Sequence, residues 1–201
     1  MAHSRGSWLA AALLGTALAQ AAPVQLDVTA PIHAEAKSSD LDYKNSKFAF
    51  HTVKVTQGGF SIEADEATAN GMDAKDSQWL FQGNVRIVSP DGLIACEEAH
   101  IVFAANAVTT AEITGKPATF EQRRDKIVAR GHANHILYDF GAGTVRLSDG
   151  ATLTDGDREI SGRTLIYDMR QQKLRANSDE QGGGPVVFTI NPKKPDPKPK
   201  P

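Results

Sequence analysis

Ile62-Glu-Ala-Asp-Glu-Ala67 recurs as Ile94-Ala-Cys-Glu-Glu-Ala99. The leading isoleucine returns in Ile127-Val-Ala-Arg-Gly-His-Ala133 and Ile160-Ser-Gly-Arg-Thr164, at intervals of 32, 33 and 33 residues. An apolar pair ending in a ring follows the last three copies: Val102-Phe103, Leu137-Tyr138 and Ile166-Tyr167. Between copies, Gly83-Asn-Val, Gly115-Lys-Pro and Gly150-Ala-Thr each read as the opening of a second strand. A period of this length is the mark of a stacked architecture. Each unit is then a pair of short strands unable to bury its own apolar face, and stacking builds one continuous, quasi-one-dimensional core.

Working outward, the pattern stays β. Val85 and Ile87 alternate in Gly83-Asn-Val-Arg-Ile-Val88, and alternation recurs in Glu112-Ile-Thr114 and Thr144-Val-Arg-Leu147. Gly58-Gly59, Asn70-Gly71, Pro90-Asp-Gly92, Gly141-Ala-Gly143, Asp149-Gly150 and Asp155-Gly-Asp157 supply turns between these runs. Short alternating strands with dense turn punctuation predict an all-β sandwich, roll or barrel, elongated by the stacking of its strand pairs. Residues 63–76 have helical propensity, but the repeat places a strand there.

The chain has 201 residues, a net charge of -2, one cysteine and 6% aromatic residues. That length suits one domain, or at most two small ones. The charge offers no basic footprint for nucleic acid, and a single cysteine forms no internal disulfide. Residues 1–22 combine Arg5, an apolar run from Trp8 to Ala19 and the small residues Ala19-Gln-Ala-Ala22, which read as a cleaved export signal. The end, residues 191–201, holds five of the ten prolines and four lysines against one aspartate, and reads as an extended solvated tail. With one cation in the leader and a surplus of three in the tail, the body over 23–190 carries a net charge of -6.

The interior candidates are Val85, Ile87, Ile94, Ile101, Phe103, Ile113, Phe120, Val145, Leu147 and Leu153, joined at repeat positions by Ile62, Tyr138 and Tyr167. A roll lined by Ile, Val and Leu with few rings can admit alkyl chains; the same residues also suit an ordinary packed core. The end strands of such a stack expose edges. Left open, they pair head-to-tail with another copy, a contact that does not close.

No catalytic pattern emerges. Alternation places His132 and His135 on opposite faces, and likewise Glu97 and Glu98. Asp155-Gly-Asp157 reads as a hairpin turn, and Cys96, two after Ile94, reads as a buried apolar thiol. No metal or cofactor is expected. Arg86, Lys116, Arg123, Arg124, Arg163 and Arg175 are candidates for phosphate head groups, since guanidinium forks suit them.

Several stretches carry a family resemblance: Val55-Thr-Gln-Gly-Gly-Phe-Ser-Ile-Glu-Ala-Asp65, Phe81-Gln-Gly-Asn-Val-Arg-Ile87, Gly115-Lys-Pro-Ala-Thr-Phe-Glu-Gln122, Gly131-His-Ala-Asn-His-Ile-Leu-Tyr138 and the run from Ile160 to Asn177. On these the chain resembles the LptA family of periplasmic lipopolysaccharide-transport proteins, built on the OstA-like domain. The resemblance implies an elongated, open, antiparallel β-jellyroll or β-roll of stacked strand pairs over 23–190, with a hydrophobic groove for lipid A acyl chains. The thirteen interior candidates would be its lipid-binding residues. It also implies copies stacked head-to-tail into a periplasmic bridge, and partners in the OstA-like domains of inner-membrane LptC and outer-membrane LptD. The sequence departs from the pattern in its Pro/Lys tail, in Gly182-Gly-Gly184 and over 66–78. Two other readings remain: a structural periplasmic adaptor that binds partners by its edge strands without lipid, and a small hydrolase.

Overall fold

The computed structural model describes residues 30–71, 76–104, 107–124, 127–168, 170–171, 173–177 and 185–191; the expected leader and the tail beyond Asn191 lie outside the described residues. Eleven strands follow in chain order: β1 (Ile32–Asp42), β2 (Lys47–Gln57), β3 (Phe60–Asn70), β4 (Asp76–Ser89), β5 (Gly92–Ala104), β6 (Ala107–Arg124), β7 (Ile127–Asp139), β8 (Thr144–Asp155), β9 (Arg158–Asp168), β10 (Lys173–Asn177) and β11 (Val187–Ile190). They form one antiparallel meander in sequential order from β1 to β10. The two short last strands share β9 between them: β10 pairs with Thr164–Asp168, and β11 with Arg158–Ser161. The 32–33-residue period is thus one β-hairpin, and its leading isoleucines stand near the starts of β3, β5, β7 and β9. The helical propensity of 63–70 yields to β3, whose Ala64, Ala67 and Ala69 are buried on the sheet's inner face.

Most strands break once, near the middle. Pairing skips between Glu63 and Glu66, between Gln82 and Val85, between Thr114 and Ala118, and between Ser148 and Ala151. Such bulges bend a strand and increase its twist. The even-numbered strands supply unusual backbone at this level: Thr52 (φ 50°), Gly83 and Asn84 (77° and 49°), and Asp149 and Gly150 (62° and 84°). In β6 the skipped stretch is Gly115-Lys-Pro117. The glycines expected to open a second strand therefore sit inside long strands, at the fold line. At Gly83 a side chain is excluded twice, by its positive φ and by the Asp65 carboxylate 2.5 Å from where a Cβ would stand. That carboxylate accepts a hydrogen bond from Asn84 Nδ2 at 2.8 Å and so braces the kink.

The bend turns one face of the sheet in on itself. On one side of the fold line, Phe50, Ala67, Phe81, Ala99, Ile113, Ile136, Leu147 and Leu165 form a fully buried cross-strand row. On the other side lie small residues: Val53, Ala64, Val85, Ala118, Ala133 and Ala151. Both sets belong to one hydrophobic cluster. Large side chains over small ones let the two halves close without voids.

The outer face is polar and fixes register. Glu35, Lys54, Glu63 and Arg86 stand opposite one another on four successive strands, with alternating charge. Lys54 Nζ lies 2.9 Å from Glu63 Oε1. That contact raises the lysine above its usual range and lowers the carboxyl below its own. A slip of one residue would reverse every face.

Gly131 offers a direct test of inner packing. A Cβ there would stand 2.5 Å from the Phe120 ring and 2.5 Å from the Thr152 carbonyl oxygen. The backbone oxygen cannot yield, so Gly131→Ala is expected to destabilise by about 1–3 kcal/mol, measured by urea unfolding. A loss below about 0.5 kcal/mol, the range of an ordinary surface change, would contradict the packing.

Candidate functional site

Beyond the closed fold line the inner face opens. A second apolar row crosses one half of the sheet through Val55, Ile62, Ile87, Ile94, Phe120, Leu153 and Ile160. These residues pack against the core yet stay half-exposed. The row begins at Ala34 on β1 and ends at Phe188 on β11. Ten strands at about 4.8 Å spacing make it roughly 40 Å long. Between Phe120 and Leu153 it passes Gly131, whose missing side chain gives the Phe120 ring its place. The other half presents a facing row with Ile101, Tyr138, Val145, Tyr167 and Leu174, and Phe103 beside it. The site is a trough closed along its base, and its walls differ. The first row stays half-exposed along its length, whereas the facing row is buried at Phe48, Trp79, Ile101 and Val145 and half-exposed only at Tyr138, Tyr167 and Leu174.

All thirteen interior candidates lie in this one cluster. Val85, Ile113 and Leu147 are buried near the base, and Ile101 and Val145 are buried in the facing row. Ile62, Ile87, Ile94, Phe103, Phe120, Leu153, Tyr138 and Tyr167 are half-exposed toward the opening. Burial pushes the Tyr138 phenol up to about 12 and the Cys96 thiol up to about 11. Cys96 shares the inner face, opposite Val85.

Sequence reasoning missed Val55, Ile160 and Leu174, and the rings Phe48, Phe50, Trp79 and Phe81. Trp79 stacks between Phe50 and Phe81 at centroid distances of 5.9 and 5.8 Å. The signal was present as alternation in Phe48-Ala-Phe50 and Trp79-Leu-Phe81. The few rings are therefore not spread evenly: Phe48, Phe50, Trp79 and Phe81 crowd together on β2 and β4, while Phe103, Phe120, Tyr138 and Tyr167 are spaced singly along β5, β6, β7 and β9.

The charged candidates stand elsewhere. Arg86 is on the outer charge ladder, Lys116 pairs with Glu97 at 3.7 Å, and Arg163 lies 3.9 Å from Asp149. Arg123 and Arg130 both contact Glu121, at 2.8 and 2.9 Å. Arg130, and then Arg123, hold that carboxyl below its usual range. Arg175 lies on β10, and the side chain of Arg124 is outside the described residues.

Two facing expectations are overturned by the bulges. His132 pairs with Thr119 and Thr152, and His135 with Thr114 and Ser148, all on the outer face. The extra residue at the fold line resets the alternation, so the two histidines share a face. Glu97 and Glu98 do the same, each with its own partner, Lys116 and Gln82. His135 also lies 2.7 Å from Glu112 and 3.5 Å from Ser148 Oγ. That trio resembles a nucleophile relay only in composition, because the Ser148 contact is at the limit of a hydrogen bond.

Among the described residues, no strand pairs with the outer side of β1 or with the outer sides of β10 and β11. Every residue of β1 except Ile32 is exposed. At the other end Phe188 and Ile190 are 57% and 61% exposed.

The profile of the LptA/(LptD N-terminal domain) LPS transport protein family matches residues 66–173. Lipopolysaccharide export system protein LptA of Escherichia coli (strain K12) is 28% identical over 184 residues, covering 90% of this chain and 81% of its own length. LptA of Haemophilus influenzae is 28% identical over 155 residues, covering 76% of this chain and 73% of its own. In three dimensions the chain is similar to LptH of Pseudomonas aeruginosa, described as the LptA-homologous periplasmic component of the lipopolysaccharide transport device. The TM-score is 0.54 at 20% identity, over 83% of this chain and 99% of that one. The repeat, the folded meander and the family match agree: this chain belongs to the LptA/LptD N-terminal domain family of lipopolysaccharide-transport proteins.

Proposed function

We propose that the protein carries lipopolysaccharide through the periplasm without chemistry, holding lipid A acyl chains along the open trough. On this reading residues 1–22 are the export signal, 23–190 the carrier domain and 191–201 a basic tail. Copies joined head-to-tail, with LptC-like and LptD-like domains at the two ends, bridge the inner and outer membranes. The observation that carries the proposal is the half-exposed row from Val55 to Ile160. Exposed apolar patches mark interaction sites, and each CH₂ gains up to about 0.8 kcal/mol in proportion to how fully the row buries it. Its position supports a mobile lipid: a continuous strip offers equivalent contacts at every strand.

The placement of the cations agrees with this division. Acyl chains need the inner rows, while Arg86, Lys116 and Arg163 face outward with carboxylate neighbours. The adaptor alternative rests on a solid interior. The fully packed fold line suits it, but the half-exposed row does not.

Photo-crosslinking residues at Ile87 and Phe120 are expected to form adducts with purified lipopolysaccharide, whereas substitutions at the outward neighbours Arg86 and Thr119 are not. Adducts confined to the outward pair would defeat the groove assignment.

Cys96 gives an independent readout on the same face. Its thiol, raised to about 11, should hold on the order of a hundredfold less thiolate at pH 8 than an unperturbed one. It should therefore react slowly with a disulfide reagent and speed up as pH rises toward 11. Bound lipopolysaccharide should slow it further. Reaction at the rate of free cysteine, unchanged by lipid, would place Cys96 outside the lipid's reach.

A further inference from the structure

We infer that the two open edges are matched to each other in one register, set by Asp40 and Asp42 on β1 and by Lys173 and Arg175 on β10. This rests on the proposed self-association and specifies how one copy meets the next. The sheet itself defines the register, because its cross-strand rows run unbroken from edge to edge. One row starts at Asp40 and passes through Ala49, Leu80, Glu112 and Ile166 to Arg175. The next outer row starts at Asp42 and ends at Lys173. β1 runs in the same direction as β9, and both β10 and β11 run antiparallel to β9. A second copy's β1 laid beside β10 and β11 therefore continues the antiparallel alternation without reversal.

In that position Arg175 faces the neighbour's Asp40, and Lys173 its Asp42, on the outer face. On the inner face Leu174 meets Leu41, Phe188 meets Ala34, and Ile190 meets Ile32. The neighbour also covers Phe188 and Ile190, the most exposed apolar side chains of the C-terminal edge, and joins the two half-exposed inner rows into one. A shift of two residues either way keeps at most one of the two charge pairs; in one direction it sets Lys173 against Lys44. Pairing β10 with another β10 gathers four cations on one short contact. Opposite charges directly across a strand pair stabilise, and like charges destabilise.

Most of these groups are uncommitted. Asp40, Lys173 and Arg175 form no ion pair with another described residue; the exposed Asp42 carboxylate accepts from Asn45 at 3.0 and 2.7 Å and from the Lys44 backbone, with Lys47 across the strand pair. Asp40, Leu41 and Asp42 also line an open hollow of about 720 Å³ at the N-terminal edge, shared with Ala49, Leu80 and His100. It leaves room for two long cationic side chains.

The test uses reciprocal charge reversal, read by sedimentation velocity with circular dichroism to verify folding. The unsubstituted protein is expected to assemble with concentration and to weaken in 0.5 M salt. D40K/D42K alone and K173D/R175D alone should each assemble at least about tenfold more weakly. Mixed together they should recover, because every junction is again opposite in charge. The fourfold variant D40K/D42K/K173D/R175D should also assemble by itself. If the unsubstituted protein assembles but either one-sided reversal assembles equally well, or the mixture shows no recovery, the register is wrong while self-association stands. A protein monomeric at every concentration would overturn self-association and the register with it.

Discussion

The constraint on which the rest depends is the fold line, the break near the middle of the long strands. A flat meander of this width would leave one whole apolar face in water. Bending each strand at a common level lets that face close on itself, and it does so without a second sheet or a covering helix. The requirement propagates into the sequence as local oddities at a fixed spacing. Thr52, Gly83-Asn84, Gly115-Lys-Pro117 and Asp149-Gly150 lie about one hairpin apart. The bend also grades the interior. Side chains nearest it are squeezed between the halves, so alanine and valine serve on one side and larger residues on the other. Farther out, the Val55–Ile160 row is only half-covered, whereas Phe48, Trp79 and Ile101 on the other side stay buried. The same geometric cause thus produces a packed base and, on one side of it, a half-exposed apolar row.

Much of this was legible in the sequence because the period of a strand pair is imprinted on its apolar pattern. The isoleucines at 62, 94, 127 and 160 mark hairpins, and alternation placed all thirteen interior candidates in the cluster that the fold builds. What alternation cannot register is a bulge. One additional residue in mid-strand shifts the phase, so His132 with His135 and Glu97 with Glu98 came out on one face rather than two. For the same reason Gly83, Gly115 and Gly150 read as strand openings when they are bends within strands. A glycine followed by a new alternating run looks identical in both cases; only pairing to a neighbour on each side tells them apart. The crowding of Phe48, Phe50, Trp79 and Phe81 at one end was equally hidden. Counting rings over the chain averaged a concentrated cluster on β2 and β4 with single rings spaced along the later strands.

The edges follow from the fold rather than from any one motif. A meander that never closes into a barrel must end in two strands with unpaired backbone, and such edges are usually blunted by charge, proline or short length. Here β1 is long and carries charges of both signs, and the opposite edge is split into two short strands, β10 and β11. The split divides labour along the edge: β10 brings cations and β11 exposed apolar residues. Splitting also shortens each segment, which limits indiscriminate pairing while leaving a composite edge that a full-length β1 can cover.

An open trough and an open edge serve the proposed transport better than closed ones would. A sealed pocket that buried every methylene would hold a multi-chain lipid with several kcal/mol per short stretch of chain. A carrier in a relay must release as readily as it accepts, the same condition that conduction through a series of sites imposes. Half-exposed residues remove only part of each alkyl chain from water, so the hold is spread thinly and evenly from strand to strand. Moving a chain by one strand spacing then exchanges one set of Ile, Val or Leu contacts for another of similar strength. The cost of motion is small because no step requires the lipid to leave apolar surface. That argument holds across a junction only if the row continues from one copy to the next. Phe188 beside the neighbour's Ala34 is where such continuity is decided.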